Sequence, residues 1–222
     1  MIKIDKTEVF GWEATIRGMR NPMNSWAKID SDWEFVEDPS IINPNDEVKF
    51  VLGPNDADLM RRLIKAGSDH RKFMRMIVVY TDIEAPLYWW KEYDTYKVGT
   101  VANSCSTMHK IHAKEFTLDD FSVEHLNQFN LNLYKMIIDN LNSARRNFIE
   151  SKDKDCWWQM IQLLPTSYNQ KRTVELNYEV LRNIYHSRKN HKLDEWHTFC
   201  DWIESLPYSW LITGKEPENG ET

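Results

Sequence analysis

Apolar residues recur at strand-like and helical spacings in the first part of the chain. Two short, largely apolar stretches with β-branched residues, 48–52 and 73–80, indicate buried strands. The apolar positions between them recur at helical spacing. They predict a helix over residues 56–66 that Asn55 caps and Gly67 stops. This first part therefore combines strands with a short helix.

The second half of the chain has the spacing of helices. Apolar residues follow three- and four-residue steps, with one five-residue step, over residues 121–148, which predicts a long amphipathic helix. Further helices are predicted over 156–164, which Pro165 ends, over 173–190 and over 193–203. With strands early and a long-helix C-terminal half, the fold class is α+β.

A polar stretch joins these two parts. Residues 87–92 can form a helical segment, and residues 94–109, called the polar loop below, are rich in Ser, Thr and Asn and show no clear period. The polar loop offers hydroxyls, an amide, a lysine and an imidazole, which suit a bound polyanion or heterocycle. Its composition is equally compatible with an ordinary surface loop.

Length and composition indicate one soluble globular domain. The chain has 222 residues, of which 41% are hydrophobic and 28% charged, enough for one sizeable core. We predict a single domain over residues 1–213 and a polar acidic tail over residues 214–222. No apolar run approaches the roughly 18 residues that span a bilayer. The mixed-charge N-terminus lacks the apolar segment of a signal peptide. We expect a cytoplasmic protein without membrane contact.

Charge and cysteine content exclude other classes. The net charge is −6, which gives no electrostatic footprint for a nucleic acid polymer, and three cysteines do not make a disulfide framework. Cys105, His109 and His112 do not have a recognised structural zinc spacing, so we predict no metal site. Small anionic ligands remain compatible with this composition.

Glycine is scarce and tryptophan abundant. The 7 glycines are scattered and form neither a dinucleotide fingerprint nor a P-loop, so side chains would have to hold any nucleotide or flavin. Among the 10 tryptophans, Trp89 and Trp90 directly precede the polar loop. Core packing is the favoured interpretation of this pair, and stacking on a planar ligand is the alternative.

The predicted helix over 173–190 has a polar residue at each end of an apolar stripe. Asn177 and Arg188 flank apolar positions at helical spacing and lie on the same face. A buried arginine needs a partner, usually an anion. The alternative is that Arg188 extends to solvent.

Four ordered sequence segments carry a family resemblance. Leu164-Pro165-Thr-Ser-Tyr168 precedes Asn177-Tyr-Glu-Val-Leu-Arg-Asn183-Ile-Tyr-His-Ser-Arg188, and Asn103-Ser-Cys-Ser106 and Asp69-His70 lie upstream. In this order and spacing they resemble the flavin-dependent thymidylate synthase family. The resemblance covers roughly residues 10–205.

The resemblance implies an α+β homotetramer with flavin and nucleotide sites at subunit interfaces. The implied reaction transfers a one-carbon unit from methylenetetrahydrofolate to dUMP. Reduced FAD supplies the hydride and NADPH regenerates the reduced flavin. By the same resemblance, Ser106 and Arg188 are catalytic and also contact the nucleotide, together with Lys97. The implied flavin-binding residues are His70, Asn103, Asn177 and Asn183.

The chain departs from the family pattern at several cations. The basic triplet of the signature is absent, and the signature's Arg and Tyr are Met108 and His109. The arginine that follows the flavin-contacting asparagine is Glu179. Either other cations compensate, or the ligand is another pyrimidine nucleotide, or the chain is a non-catalytic interaction module. The available cations are Arg71, Lys110, Arg182 and Lys189.

Overall fold

Strands and helices alternate in the first half of the chain, and helices dominate the second. The computed structural model describes residues 1–35 and 48–216. Its strands are β1 Lys3–Phe10, β2 Asp32–Phe35, β3 Val48–Val51, β4 Val78–Pro86, β5 Val101–Ser104 and β6 Asn169–Asn177. Its α-helices are α1 Trp12–Arg20, α2 Pro54–Lys65, α3 Leu87–Tyr93, α4 Gln128–Ser151, α5 Lys154–Leu163, α6 Tyr178–Arg188, α7 Asp194–Glu204 and α8 Trp210–Thr213.

An antiparallel sheet with the strand order β1-β4-β6-β5 organises the fold. Strands β4 and β6 pair over nine residues, from Val78 opposite Asn177 to Pro86 opposite Asn169. The edge strand β5 pairs with β6, so that Asn103 lies opposite Thr173. Strands β2 and β3 form a separate two-stranded sheet. One face of the main sheet packs on the helices and the other is polar, as is common for antiparallel sheets.

Strand β6 corrects the prediction of a single helix over residues 173–190. Residues 173–177 are strand, and the helix begins only at Tyr178. Between residues 171 and 176 the side chains alternate between the two faces of the sheet, with Val174 and Leu176 buried. This period of two is the strand signal. The strand signal is weak in the pattern of apolar residues, because few of the inward-facing positions of β6 are apolar.

Other boundaries also shift. The long helix begins at Gln128 rather than at residue 121, because Asn127 caps it and Phe121 instead bridges to Tyr168. Residues 73–76 belong to a 3₁₀ helix, Arg71–Met76, that precedes β4. The polar loop contains the short strand β5. The helix after β3 begins at Pro54 with Gly53 as its N-cap, so the expected cap at Asn55 is wrong.

Several predicted elements are confirmed. The strand at 48–52 and the helices at 87–92, 156–164 and 193–203 are present within a few residues of the expected bounds. Strand β1 and helix α1 were not predicted. In the described ranges, no helix is long and apolar enough to cross a membrane. Residues 217–222 of the predicted tail lie outside the described residues.

Two hydrophobic clusters form the interior. The larger joins the sheet to α1, α3, α6, α7 and α8, and the smaller lies between α4, α5 and the segment that leads into α4. Trp89 and Trp90 are 0% and 1% exposed, and Trp89 packs with Trp90, Trp196 and Phe199. Core packing, the favoured interpretation of this tryptophan pair, is therefore confirmed.

A buried ion pair ties α1 to α2. Arg20 and Asp56 are 3% and 0% exposed, and Arg20 Nε lies 2.6 Å from Asp56 Oδ1. The second carboxylate oxygen accepts hydrogen bonds from the amides of Asp30 and Ser31, both 3.1 Å, and from Ser31 Oγ at 2.7 Å. Burial alone would raise the pKa of Asp56, but the hydrogen bonds from Ser31 and Asp30 and the charge of Arg20 outweigh it and lower the pKa.

Replacing Asp56 by Asn should destabilise the protein by about 3–5 kcal/mol, because it leaves the buried Arg20 without its counter-charge. Urea unfolding measured by circular dichroism checks this value. Because the pKa of Asp56 is lowered in the folded state, its contribution is present above the unfolded value of about 3.9. It is lost as the pH falls through the folded pKa, so the difference from wild type should shrink there.

The matched control is Asp58→Asn on the same helix. Asp58 pairs with Arg62 at 3.0 Å, but both side chains are more than 60% exposed. Exposed pairs at this spacing contribute about 0.3–0.5 kcal/mol. Equal losses of stability in the two variants would contradict the assignment of Arg20–Asp56 as a structural anchor.

Candidate active site

Strand β6 holds both ends of the polar loop. Arg172 Nη1 donates to Asp94 Oδ1 at 2.8 Å at the start of the loop. Near its end, Gln170 Nε2 donates to the Cys105 carbonyl at 2.7 Å, and the Cys105 amide donates to the Lys171 carbonyl at 2.9 Å. Arg172 also donates to Gln170 Oε1 at 3.0 Å, which links the two anchors. The two ends of the loop are therefore fixed to one rigid strand.

Helix α6 holds the middle of the loop. Asn177 Oδ1 caps α6 by accepting from the Val180 amide at 3.0 Å, and its Nδ2 donates to the Gly99 carbonyl at 3.3 Å. Gly99 has φ +79°, and a Cβ there would lie 3.1 Å from Asn177 Nδ2 and 3.2 Å from Val180 Cγ2. This close, left-handed approach requires glycine.

Arg188, at the end of α6, is held by three side chains of the surrounding structure. Its Nη1 donates to Glu92 Oε2 at 2.8 Å and its Nε donates to the Tyr96 hydroxyl at 2.9 Å. The guanidinium lies 4.9 Å from the centroid of the Trp196 ring. The sequence left open whether Arg188 faces an anion or extends to solvent. Its side chain is only 19% exposed, and its anion is the chain's own Glu92.

Ser106 lies at the mouth of a cavity of about 500 Å³. Its Oγ accepts hydrogen bonds from the amides of Met108 and His109 at 3.2 and 2.9 Å, so that the hydroxyl shapes the turn that follows. Three lysines line this cavity, and we call it the lysine cavity: Lys110, Lys114 and Lys171.

The charges of the lysine cavity are partly balanced. Lys114 pairs with Asp120, and Lys171 Nζ lies 2.9 Å from Asp82 Oδ2. Lys110 has no ion-pair partner within residues 1–35 and 48–216. Tyr168 also lines the cavity, and burial raises the pKa of its phenol. The lysine cavity therefore offers ammonium groups and a phenol that stays protonated at neutral pH.

A second cavity, of about 750 Å³, lies between α1, α2 and the 3₁₀ helix Arg71–Met76. Its floor is apolar and contains Met19, Met23, Met76, Leu59, Leu63 and Phe73. We call it the methionine cavity. His70, Lys72 and Arg75 line it with cationic or titratable groups.

Two comparisons with known proteins find nothing at the level of sequence. No protein-family model matches the chain, and no curated protein matches it.

Solved structures match over almost the whole chain. One is the flavin-dependent thymidylate synthase ThyX from Helicobacter pylori complexed with FAD and dUMP, with a TM-score of 0.66 and 14% identity. The alignment covers 96% of this chain and 98% of that one. A second structure of the same enzyme with FAD and dUMP gives a TM-score of 0.65, again with 14% identity, over 96% and 97% of the two chains.

The chain has the ThyX fold. At 14% identity this likeness defines the fold, and the roles of individual residues have to be argued from the chain itself. The mixed strand and helix class expected from the sequence is confirmed.

One copy of the ThyX fold distributes the candidate residues over several surfaces. Ser106 lines the lysine cavity and His70 lines the methionine cavity, and the other five line neither. Two of the seven, Asn177 and Arg188, hold the polar loop. Three further candidates are exposed, and their side chains have no hydrogen-bond partner among the described residues: Lys97, Asn103 and Asn183.

Two cations that the sequence offered as replacements are engaged internally. Arg71 Nε lies 2.9 Å from Glu179 Oε2, and both side chains are largely buried. Arg182 Nη1 donates to the carbonyls of Leu211 and Ile212 at 3.2 and 2.9 Å. Each of these two guanidiniums therefore has one nitrogen engaged inside the protein.

The sequence missed three side chains that shape the site: Glu92, Gln170 and Arg172. Gln170 and Arg172 lie just before the helix that the sequence predicts from residue 173, in a stretch for which it predicts no element. Their alternation with Lys171 and Thr173 was the available signal.

The cysteines differ in their surroundings. Cys105 is exposed, whereas Cys200 is buried, and burial raises the pKa of the Cys200 thiol to about 11. Cys200 is therefore protonated and packed at neutral pH. Across the described ranges, no three His, Cys, Asp or Glu side chains converge as metal ligands.

Replacing Gly99 by Ala should destabilise the protein and loosen the polar loop. The new Cβ meets a left-handed backbone conformation and two close neighbours on α6, and crowding of this kind costs about 1–3 kcal/mol. Chemical unfolding gives the loss, and limited proteolysis reports on the loop.

Gly214→Ala is the control, because Gly214 has a similar φ of +76° but no atom within 4 Å of an added Cβ. The Gly214→Ala variant should lose only the stability that the left-handed backbone conformation costs an alanine. The idea that Gly99 is needed for close packing fails if both variants lose the same stability.

Proposed function

We propose that the protein is a flavin-dependent thymidylate synthase that transfers a one-carbon unit from methylenetetrahydrofolate to dUMP to give dTMP. The observation that carries this proposal is the whole-chain likeness to a ThyX enzyme that binds FAD and dUMP. Two cavities next to residues implicated by the motifs support it, because Ser106 lines one and His70 lines the other.

The lysine cavity is the proposed nucleotide site. A phosphate is recognised by charged donors, and Lys110, Lys114 and Lys171 provide ammonium groups where the family pattern has arginines. Lys110 would carry most of the new attraction, since the other two share acidic partners. Ser106, at the mouth, would lie beside the pyrimidine.

The methionine cavity fits a flavin. An apolar floor of methionine, leucine and phenylalanine suits a planar ring, and the rim of His70, Lys72 and Arg75 suits a pyrophosphate. Its volume of about 750 Å³ is within the range of cofactor sites. When bound, the flavin supplies the reducing equivalents that turn the transferred group into a methyl group. We propose NADPH as the source of those equivalents.

A homotetramer would complete the site. The candidate residues face several directions in one copy, so groups from a neighbouring copy are needed to bring flavin and nucleotide together. Helix α4 presents Phe129, Leu133 and Met136, which are 78%, 51% and 60% exposed and lie at helical spacing. Such an apolar stripe is typical of a subunit interface. We propose Lys97, Asn103, Asn177 and Asn183 as residues of the shared site.

A second candidate is the flavin-dependent modification of another pyrimidine nucleotide. The observation that favours it is the Arg71–Glu179 pair, which places a carboxylate where the family pattern has a cation. A ligand with fewer negative charges would tolerate this exchange better than dUMP.

The purified protein should be yellow and show the absorption spectrum of a bound flavin. With methylenetetrahydrofolate, NADPH and dUMP labelled with tritium at C5, it should release tritium and form dTMP. Light scattering of the same sample should give the mass of four chains. A colourless protein that releases no tritium when FAD is added contradicts the proposal, and preference for another nucleotide in a panel favours the second candidate.

Replacing Lys110 by Ala should weaken the binding of dUMP about tenfold or more, because it removes a charge-assisted contact to the phosphate. Deoxyuridine, which has no phosphate, should bind with unchanged affinity. Isothermal titration at two salt concentrations measures both ligands.

Lys135→Ala is the control, since this exposed lysine of α4 lines neither cavity. Equal losses for dUMP and deoxyuridine would argue against a phosphate at Lys110.

A further inference from the structure

Glu92, at the end of α3, accepts two hydrogen bonds on one carboxylate oxygen and has a third nitrogen close to it. Its Oε2 accepts from Arg188 Nη1 at 2.8 Å and from Trp196 Nε1 at 3.1 Å, and His191 Nε2 lies 3.3 Å away. These three side chains come from the end of α6, from α7 and from the connection between them. Glu92 therefore joins α3 to the C-terminal helices at the base of the polar loop.

The orientation of Arg188 follows from these contacts. Glu92 binds Nη1, the Tyr96 hydroxyl accepts from Nε, and the Trp196 ring lies against the guanidinium plane. Contacts at two nitrogens and on one face leave the planar group a single orientation. Nη2 is the nitrogen that these contacts leave for another partner.

The two residues that accept hydrogen bonds from Arg188 lie on one segment of the chain. Glu92 and Tyr96 are four residues apart, and the segment between them turns from α3 into the polar loop. Arg188 is thus linked to the polar loop by its hydrogen bond to Tyr96 and to α3 by its hydrogen bond to Glu92. Without the negative charge of Glu92, the stronger of the two hydrogen bonds of the guanidinium would no longer be made to an ionised acceptor.

We propose that Glu92 is a positioning residue that acts through Arg188, fixing the guanidinium for the contact with the pyrimidine that the family resemblance implies. This inference rests on the proposed function. A fixed donor stabilises developing negative charge without reorganisation during the reaction. The carboxylate also offsets the positive charge of Arg188, so its removal should not weaken the binding of an anionic nucleotide.

The variant Glu92→Gln separates these two effects, since Gln keeps the shape and an acceptor oxygen but removes the charge. We expect kcat for thymidylate formation to fall about 10- to 100-fold, as for loss of a hydrogen bond to a charged group. KM for dUMP should stay unchanged or decrease. A residue with a merely structural role would instead lower stability and leave the kinetics of the folded enzyme unchanged.

The matched control is Glu204→Gln on α7. Glu204 also accepts from a tyrosine and pairs with a cation, through Tyr185 at 2.5 Å and Lys215 at 2.6 Å, but it has no contact with Arg188. It should keep wild-type kcat and KM. Equal kinetics of the Glu92 and Glu204 variants would overturn the proposal.

A double variant tests whether Glu92 acts through Arg188. If it does, Arg188→Lys combined with Glu92→Gln should be no slower than Arg188→Lys alone, because the group to be positioned is already lost. Multiplicative losses would assign Glu92 a separate role and overturn the inference.

A measurement without substrate keeps this inference distinct from the proposed function. In ¹⁵N NMR of the ligand-free protein, the Nε–H signal that disappears in Arg188→Lys belongs to Arg188. It should exchange slowly with solvent in the wild type and in Glu204→Gln, and at least tenfold faster in Glu92→Gln. An inactive wild type would refute the proposed function, whereas unchanged exchange in Glu92→Gln would refute the positioning of Arg188.

Discussion

The pairing of β6 with β4 over nine residues is the constraint on which the candidate site depends. It sets the level at which β6 ends and α6 begins, because the Tyr178 amide donates to the Ile77 carbonyl at 3.1 Å just beyond the last strand pair. The same pairing places the side chains of Gln170 and Arg172 on the face of the sheet that contacts α3 and the polar loop. An antiparallel register fixes every side chain on a strand to one face, so a shift by one residue would turn both anchors away from the loop.

Arginine has two different uses in this chain. Arg20 is a structural group that is buried with Asp56 and lines neither cavity, and Arg71 and Arg182 hold the helices next to α6. Arg188 is held just as firmly, but at the base of the polar loop. A fixed guanidinium recognises an anion through its orientation as much as through its charge. The lysines at the lysine cavity are the more adaptable cations.

The sequence predicted many of the residues of the candidate site, but it did not predict the contacts between them. The density of polar groups after α3 indicated the loop, and the order of motifs placed Ser106, Asn177 and Arg188 near it. The acceptor of Arg188 could not be predicted. Glu92 lies 96 residues away along the chain, and nothing in the local sequence distinguishes it from the other glutamates. Contacts of this kind depend on how α3 and α6 pack, which is decided by the whole core.

By itself, the sequence determined the α+β class, the positions of most helices and the absence of glycine-rich phosphate loops, because these follow from local periodicity and composition. Only the tertiary structure decided that residues 169–177 form a strand. The local pattern of residues 169–177 fits both the period of a helix and the period of a strand. Pairing with β4 on one side and β5 on the other selects the extended conformation. The same long-range pairing decided which cations are used inside the protein and which still face a cavity.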